Sequence, residues 1–167
     1  RAEDGSDLLD IGGESMRPGA QVISVEEELR RVIPVIERLA RDTALPISID
    51  TSKPEVMRAA VEAGAGMIND VYALRREGAL DAAAQLRVPV VLMHMQGEPR
   101  TMQVQPEYDD VVGEVHRFLA ERIFAAEMAG VARRNIVVDP GVGFGKTTAH
   151  TLQLLAELRR LTQLRAP

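Results

Sequence analysis

Residues 46–71 read PISIDTSKPEVMRAAVEAGAGMINDV, and this stretch contains one complete strand, helix and strand pattern. The apolar run Pro46–Asp50 predicts a buried strand, and Met67–Val71 predicts the next one. Between them a helix is predicted to begin at Pro54 and to end at Gly64, because proline suits the first turn of a helix and glycine suits its C-terminal cap. Two short strands joined by a helix are typical of a parallel sheet.

The same alternation extends along the chain in both directions. Further strands are predicted at Asp7–Gly12, Pro89–Met93 and Asn135–Asp139. Further helices are predicted at Ser24–Leu39, Ala79–Leu86, Asp110–Met128 and Leu152–Leu164, the last with Leu155, Leu158 and Leu161 on one face. The strands are nearly continuous apolar runs, which indicates burial on both faces of the sheet.

Two features mark the first of these helices. Ser24 is followed three residues later by Glu27, the spacing of a capping box. Pro34 interrupts the apolar pattern, so it either kinks this helix or begins a second one.

Both ends of the sequence look internal to a longer pattern. Arg1–Ser6 resembles the end of a helix, with Gly5 as its stop, and the chain does not begin with methionine. At Pro167 the sequence stops where a helix should lead into another strand. We therefore expect a single domain over residues 1–167 that is an internal piece of a larger α/β protein, inactive when made by itself.

Composition excludes several classes of protein. The 167 residues are 46% hydrophobic, so the chain can bury a core. Its 20 Lys and Arg against 25 Asp and Glu give a charge of −5 with no basic patch, which argues against a nucleic-acid partner. Cys is absent, no signal-like segment opens the chain, and no apolar run is long enough for a membrane, so we expect a cytoplasmic protein without a membrane partner.

Polar residues fall at the carboxyl end of every predicted strand. They include Asp10, Asp50, Asn69, His94 and Asp139. The carboxyl ends of parallel strands form the ligand-binding edge of α/β folds, and polar residues on every consecutive strand favour a barrel over an open sheet. A (β/α)8 TIM barrel takes about 250 residues, so this chain fits about five of the eight strand-helix units.

Asp50, Asn69 and Asp139 are expected to converge in the mouth of such a barrel. Two carboxylates and an amide offer the acceptors and donors that an amino-substituted heterocycle needs. Metal binding and simple helix capping are the competing interpretations. A zinc site is not expected, because His94, His116 and His150 lie far apart in the sequence.

Two loops at this edge carry further candidates. Gly141–Thr147 resembles a phosphate-binding loop, but Pro140 and Lys146 occupy positions where the two known patterns need glycine. The loop could still approach an anion, close over a ligand, or only turn the chain. In the long loop of residues 10–19, Arg17 could bind a phosphate or simply pair with Glu14.

Taken together, these segments resemble the dihydropteroate synthase family over essentially the whole chain. The resemblance is carried by Asp10–Ser15, Arg17–Ala20, Ser48–Thr51, Ile68–Val71, Leu92–Gly97 and Asp139–Lys146. It implies a barrel enzyme of folate biosynthesis that joins p-aminobenzoate to 6-hydroxymethyl-7,8-dihydropterin diphosphate and releases pyrophosphate. No side chain is expected to act as a nucleophile.

The resemblance also implies roles for individual residues. It places Asp50, Asn69 and Asp139 on the pterin, with Met93 and Phe144 near its ring. Arg17 falls in the loop near pyrophosphate and aminobenzoate, beside Met16, where the family normally has a substrate-contacting threonine.

Cofactor and partners are likewise implied by the resemblance. Mg²⁺ is expected, with its asparagine ligand on a strand preceding this chain and no metal ligand within residues 1–167. A lysine, an arginine and a histidine for the substrates are expected on strands that follow it, and the full-length protein is expected to be a homodimer.

Two other functions remain open. One is the pterin-binding domain of a folate/corrinoid methyltransferase, which Gly13–Ser15 and Arg17–Gly19 argue against. The other is a non-catalytic pterin-binding remnant.

Overall fold

The computed structural model describes residues 5–17, 19–98 and 101–166. Its strands are β1 (Leu9–Gly12), β2 (Ile47–Asp50), β3 (Met67–Asp70), β4 (Val90–Met93) and β5 (Ile136–Asp139). Its helices are α1 (Val25–Asp42), α2 (Pro54–Glu62), α3 (Ala79–Leu86), α4 (Val111–Met128) and α5 (Thr148–Ala156). Short 3-10 helices cover Arg133–Asn135 and Leu158–Leu164. All five predicted strands are therefore present; the helix tail predicted at Arg1–Ser6 falls largely on residues 1–4, outside the described residues.

The five strands form one parallel sheet in the order β1-β2-β3-β4-β5. Successive helices pack on one another, α1 on α2 through to α4 on α5, and so form one continuous outer layer. A doubly wound sheet would reverse its strand order and carry helices on both faces. The arrangement is instead that of five consecutive units of a (β/α)8 barrel, which confirms the predicted fold class.

Alternate strand positions face the helices and the barrel interior. Ile49, Ile68 and Leu92 face the helices, belong to the main hydrophobic core and are fully buried. The opposite face carries polar groups, and Asp10 on β1 is exposed. The prediction that every strand is buried on both faces is therefore wrong for β1, where burial alternates along the strand.

The structure decides two details of helix α1. Pro34 lies inside the single helix α1 and does not begin a second one. It is tolerated because this position is exposed, where water can hydrogen-bond the carbonyl group that lacks its helical partner. Ser24 caps α1 by accepting from the Glu27 backbone N–H, as predicted, but the Glu27 carboxylate pairs with Arg30 and Arg31.

The last predicted helix is wrong in its limits and in part of its type. The helix α5 begins at Thr148, earlier than the predicted Leu152, because Thr147 and His150 cap each other's backbone N–H groups. Beyond Ala156 the chain tightens into the 3-10 helix, in which Leu161 and Leu164 are buried against α4. Leu155 and Leu158 are exposed, so the predicted apolar face is only partly used.

We predict that a polypeptide of these 167 residues alone self-associates. Among the described residues β1 pairs only with β2 and β5 only with β4, so each leaves a row of backbone groups open to another strand. Light scattering during gel filtration, with dye binding to exposed apolar surface, measures this. A monodisperse monomer with one cooperative melting transition would contradict it.

Candidate functional site

The register of the sheet brings polar side chains from β1, β2 and β3 together. Asp50 at the end of β2 lies directly beside Asn69 on β3. Asp10 links the neighbouring strands, because its two oxygens accept hydrogen bonds from the Ser48 hydroxyl at 2.6 Å and from the Asn69 amide at 3.2 Å. The Asn69 amide is therefore oriented by Asp10, a residue noted at a strand end in the sequence but not assigned to the pterin site.

Asp50 is the most perturbed carboxyl group of this edge. Its Oδ1 is buried and has no hydrogen-bond partner among the described residues. Burial, followed by the negative charges of Asp10 and other nearby carboxylates, raises the pKa of Asp50 to about 7. Since a buried acceptor without a partner is costly, this oxygen points to a ligand that donates a hydrogen bond.

The fourth and fifth strands place Met93 beside Asp139. One carboxylate oxygen of Asp139 accepts a hydrogen bond from the Gly141 backbone N–H at 2.7 Å, which holds the turn after β5. Gly141 has a φ of +67°, and a Cβ there would lie 1.8 Å from the His94 carbonyl oxygen. Only glycine fits this position, so the glycine-rich loop is packed directly against the end of β4.

Lys146 anchors the same loop from within. Its ammonium contacts His94 Nδ1 at 2.9 Å and donates to the carbonyl oxygens of Gly141 and Phe144, both at 2.9 Å. Burial lowers the pKa of Lys146 to about 7, and burial together with the positive charge of Lys146 lowers the pKa of His94 to about 3. In this structure Lys146 therefore braces the loop and does not face outward to meet an anion.

An apolar cluster forms the wall next to these acids. Val71, Met93, Met95 and Met102 are buried in it, and Met16, Tyr72 and Phe144 pack against it. Three residues chosen from the sequence, Met16, Met93 and Phe144, thus belong to one cluster although they come from three separate segments.

Arg17 does not pair with Glu14, which was the alternative to phosphate binding. Glu14 pairs instead with the buried Lys53 at 2.8 Å, while no ion pair joins Arg17 to another described residue. Arg17 and Met16 line a cavity of about 800 Å³ between the loop, the start of α2 and residues 72–77. The Arg17 side chain is exposed and available to a ligand in this cavity.

The structure bears on the competing interpretations of the strand-end acids. Within residues 5–17, 19–98 and 101–166 no three His, Cys, Asp or Glu side chains are grouped so that they could hold a metal ion. Asp70 and Asp139 accept hydrogen bonds from backbone N–H groups of the turns that follow their strands, whereas Oδ1 of Asp50 has no such partner among the described residues. No described helix is both long and apolar enough to cross a membrane.

We predict that Asp50→Asn stabilises the full-length protein far more at pH 8 than at pH 4. The pKa of Asp50 is raised from its ordinary value of 3.8 to about 7, so the protonated form suits the fold and stability is lost progressively as the pH rises between these two values. The neutral amide avoids this loss, which is worth up to about 4 kcal/mol. Thermal melting of both proteins across pH measures the effect, with the exposed Asp109→Asn as control. An equal effect at both pH values would contradict it.

The chain is similar to known proteins along its whole length. The sequence profile of the family described as "Pterin binding enzyme" matches residues 1–167. The chain is 52% identical over 163 residues to dihydropteroate synthase of Escherichia coli K12, covering 98% of this chain and 58% of that protein.

Two solved structures are also similar to this chain in sequence and in fold. Dihydropteroate synthase of Xanthomonas albilineans with 4-aminobenzoic acid superposes with a TM-score of 0.94 at 70% identity, covering 99% of this chain and 59% of that one. The same enzyme in complex with 7,8-dihydropteroate superposes with a TM-score of 0.88 at 66% identity, covering 99% of this chain and 58% of that one. The chain therefore spans about three fifths of the length of these relatives. On the match along its whole length, the chain belongs to the pterin binding enzyme family.

Proposed function

We propose that the full-length protein carrying this chain is a dihydropteroate synthase. It would join p-aminobenzoate to 6-hydroxymethyl-7,8-dihydropterin diphosphate and release pyrophosphate. The observation that carries the proposal is the buried, unpartnered Oδ1 of Asp50 beside Asn69, in a chain whose relatives are named for this activity.

In this proposal the side chains of Asp50, Asn69 and Asp139 form hydrogen bonds with the pterin ring. The edge of the ring presents N–H groups that can donate hydrogen bonds to the carboxylates. It also presents acceptor atoms, to which the Asn69 amide can donate. Asp10 fixes which way the Asn69 amide points. Met93 and Phe144 lie in the apolar cluster next to Asp139 and would cover the faces of the ring.

The reaction needs the protein to stabilise developing charge, and it needs no nucleophilic side chain. The carbon–oxygen bond to the diphosphate breaks as the aminobenzoate nitrogen attacks the methylene carbon, and the amine then loses a proton. Positive charge develops on the methylene carbon and spreads into the pterin ring. The carboxyl groups of Asp50, which is buried beside Asn69, and of Asp139, which the Gly141 N–H holds in place, would stabilise that charge.

The loop of residues 13–24 would serve the second substrate. Arg17 can form two parallel hydrogen bonds with a pyrophosphate or carboxylate group, and its side chain is exposed toward the cavity. Met16 packs on the cluster that contains Phe144, and so would contact the aminobenzoate ring through its thioether.

Magnesium, a homodimer and the cytoplasm stay predictions. The boundaries of a single domain over residues 1–167 stay a prediction as well.

Turnover by the full-length protein tests the proposal directly. Incubation with the pterin diphosphate and p-aminobenzoate should give dihydropteroate and pyrophosphate in equal amounts, measured by mass spectrometry and a coupled phosphate assay. Pterin binding without product would indicate a non-catalytic protein. Methyl transfer from a methylated folate to a corrinoid would indicate the methyltransferase.

We predict that Asp139→Asn weakens pterin diphosphate binding. The substitution keeps an oxygen for the Gly141 N–H but replaces an acceptor by an NH₂ group, leaving a ring N–H unpaired. The loss should be about 1–3 kcal/mol, or roughly five- to 150-fold in Kd. Calorimetry measures it against Asp109→Asn, a matched change at an exposed site. Equal Kd values for the two variants and the wild type would remove Asp139 from the pterin site.

We also predict that Met16→Thr changes the KM for aminobenzoate and inhibition by bulkier sulfonamide analogues, but not pterin affinity. The thioether contact with an aromatic ring is worth about 0.3–1.5 kcal/mol, and threonine is too short to keep it. Side-by-side kinetics and calorimetry check the three quantities. If none of them changes, Met16 is not a substrate contact, and if pterin affinity alone changes, the loop serves the other substrate.

A further inference from the structure

Both lysines of this chain are buried, although lysine is almost always exposed in proteins. Lys146 braces the glycine-rich loop, as described above. Lys53 lies in the turn between β2 and α2, and its ammonium donates to Glu14 Oε2 at 2.8 Å and to Glu28 Oε2 at 2.5 Å. The three side chains are exposed by only 8%, 5% and 0%, respectively. We call Lys53, Glu14 and Glu28 the lysine cluster.

The lysine cluster joins three separate segments. Glu14 comes from the loop after β1, Glu28 from α1, and Lys53 from the turn before α2. The second oxygen of Glu28 accepts from the Thr51 hydroxyl at 2.6 Å, so the helix side of the cluster is held on both oxygens. Burial by itself lowers the pKa of Lys53, but the hydrogen bonds and charges of Glu14 and Glu28 outweigh it and raise that pKa above its ordinary value. The lysine is therefore charged.

Glu14 ties both ends of the loop of residues 13–24. Its second oxygen accepts from the Ile23 backbone N–H at 3.0 Å, near the far end of the loop. Next to it, the Gly13 carbonyl accepts from Arg31 on α1 at 3.0 Å. Met16 and Arg17 lie between these two tied ends, and together with Lys53 they line the cavity.

Stability alone does not account for such a cluster. Burying two carboxylates and one ammonium carries a large desolvation cost, and apolar side chains of similar volume are often equally stable. Charged hydrogen bonds are directional, however, and so they specify where the loop lies relative to α1 and α2.

We propose that Lys53 is a positioning residue, which acts through Glu14 to hold the loop of residues 13–24 so that Met16 and Arg17 meet the aminobenzoate. This inference deepens the proposed function and rests on it for the identity of the substrate. Lys53 itself contacts no reacting atom.

Two variants of the full-length protein test the role. Glu14→Gln is the milder one, because it leaves the Lys53–Glu28 pair charge-balanced and keeps an oxygen for the Ile23 N–H. Lys53→Met leaves two buried carboxylates without their partner, so it could fail to fold; the Glu14→Gln result then decides. Arg38→Met removes a cation from an exposed ion pair on the same helix α1 and serves as the matched control.

Hydrogen exchange and kinetics give independent readouts. We expect faster exchange in residues 13–24 of both folded variants, with exchange in residues 141–147 unchanged. The KM for aminobenzoate should rise about tenfold, within the range expected when a substrate-binding group is displaced, while pterin affinity stays at the wild-type value. A general loss of structure would speed hydrogen exchange in both loops and weaken the binding of both substrates.

Wild-type exchange in residues 13–24, or faster exchange with an unchanged KM for aminobenzoate, overturns the proposal. If the wild-type protein shows no turnover, the proposed function fails by itself. The exchange of the loop still reports whether the lysine cluster holds it, so the two failures are distinguishable.

Discussion

Parallel pairing of five strands in consecutive order is the constraint on which the rest of the structure depends. It places every carboxyl end at one edge, and the register then decides which side chains become neighbours. Asp50 lies beside Asn69, and Met93 lies beside Asp139, because each pair occupies matching positions on adjacent strands. A shift of one residue in either strand would turn its polar side chain toward the helices and remove it from the site.

The carboxyl group of Asp50 at this edge destabilises the fold. Asp50 is held in surroundings that disfavour its ionised form, and it lacks a partner for a buried oxygen. A ligand with N–H donors would supply that partner and favour the ionised carboxylate. The same arrangement therefore reduces the stability of the empty fold above neutral pH and prepares the site for a heterocycle. Each of the two buried lysines also holds one loop at this edge through side-chain hydrogen bonds.

Much of this could be predicted from the sequence because it depends on local pattern. Short apolar runs with polar residues at or near their carboxyl ends predicted the five strands, and the pairing of consecutive strands places Asp50 beside Asn69. Other features depend on contacts between distant segments. Glu28 was not singled out by the sequence, yet it is fully buried against Lys53. The pairing of Glu14 with Lys53, where Arg17 was the alternative, required knowing that the turn before α2 lies under the loop after β1. The break of the last helix at Ala156 arises from packing of Leu161 and Leu164 on α4, which no local pattern shows.

A crystal structure of the full-length protein with a bound pterin tests the central claim most directly. The account predicts a ring N–H within about 3 Å of Asp50 Oδ1, with Asn69 and Asp139 bonded to the same ring and the ring between Met93 and Phe144. A pterin bound elsewhere, with Asp50 Oδ1 still lacking a partner or occupied by a metal ion, would contradict it.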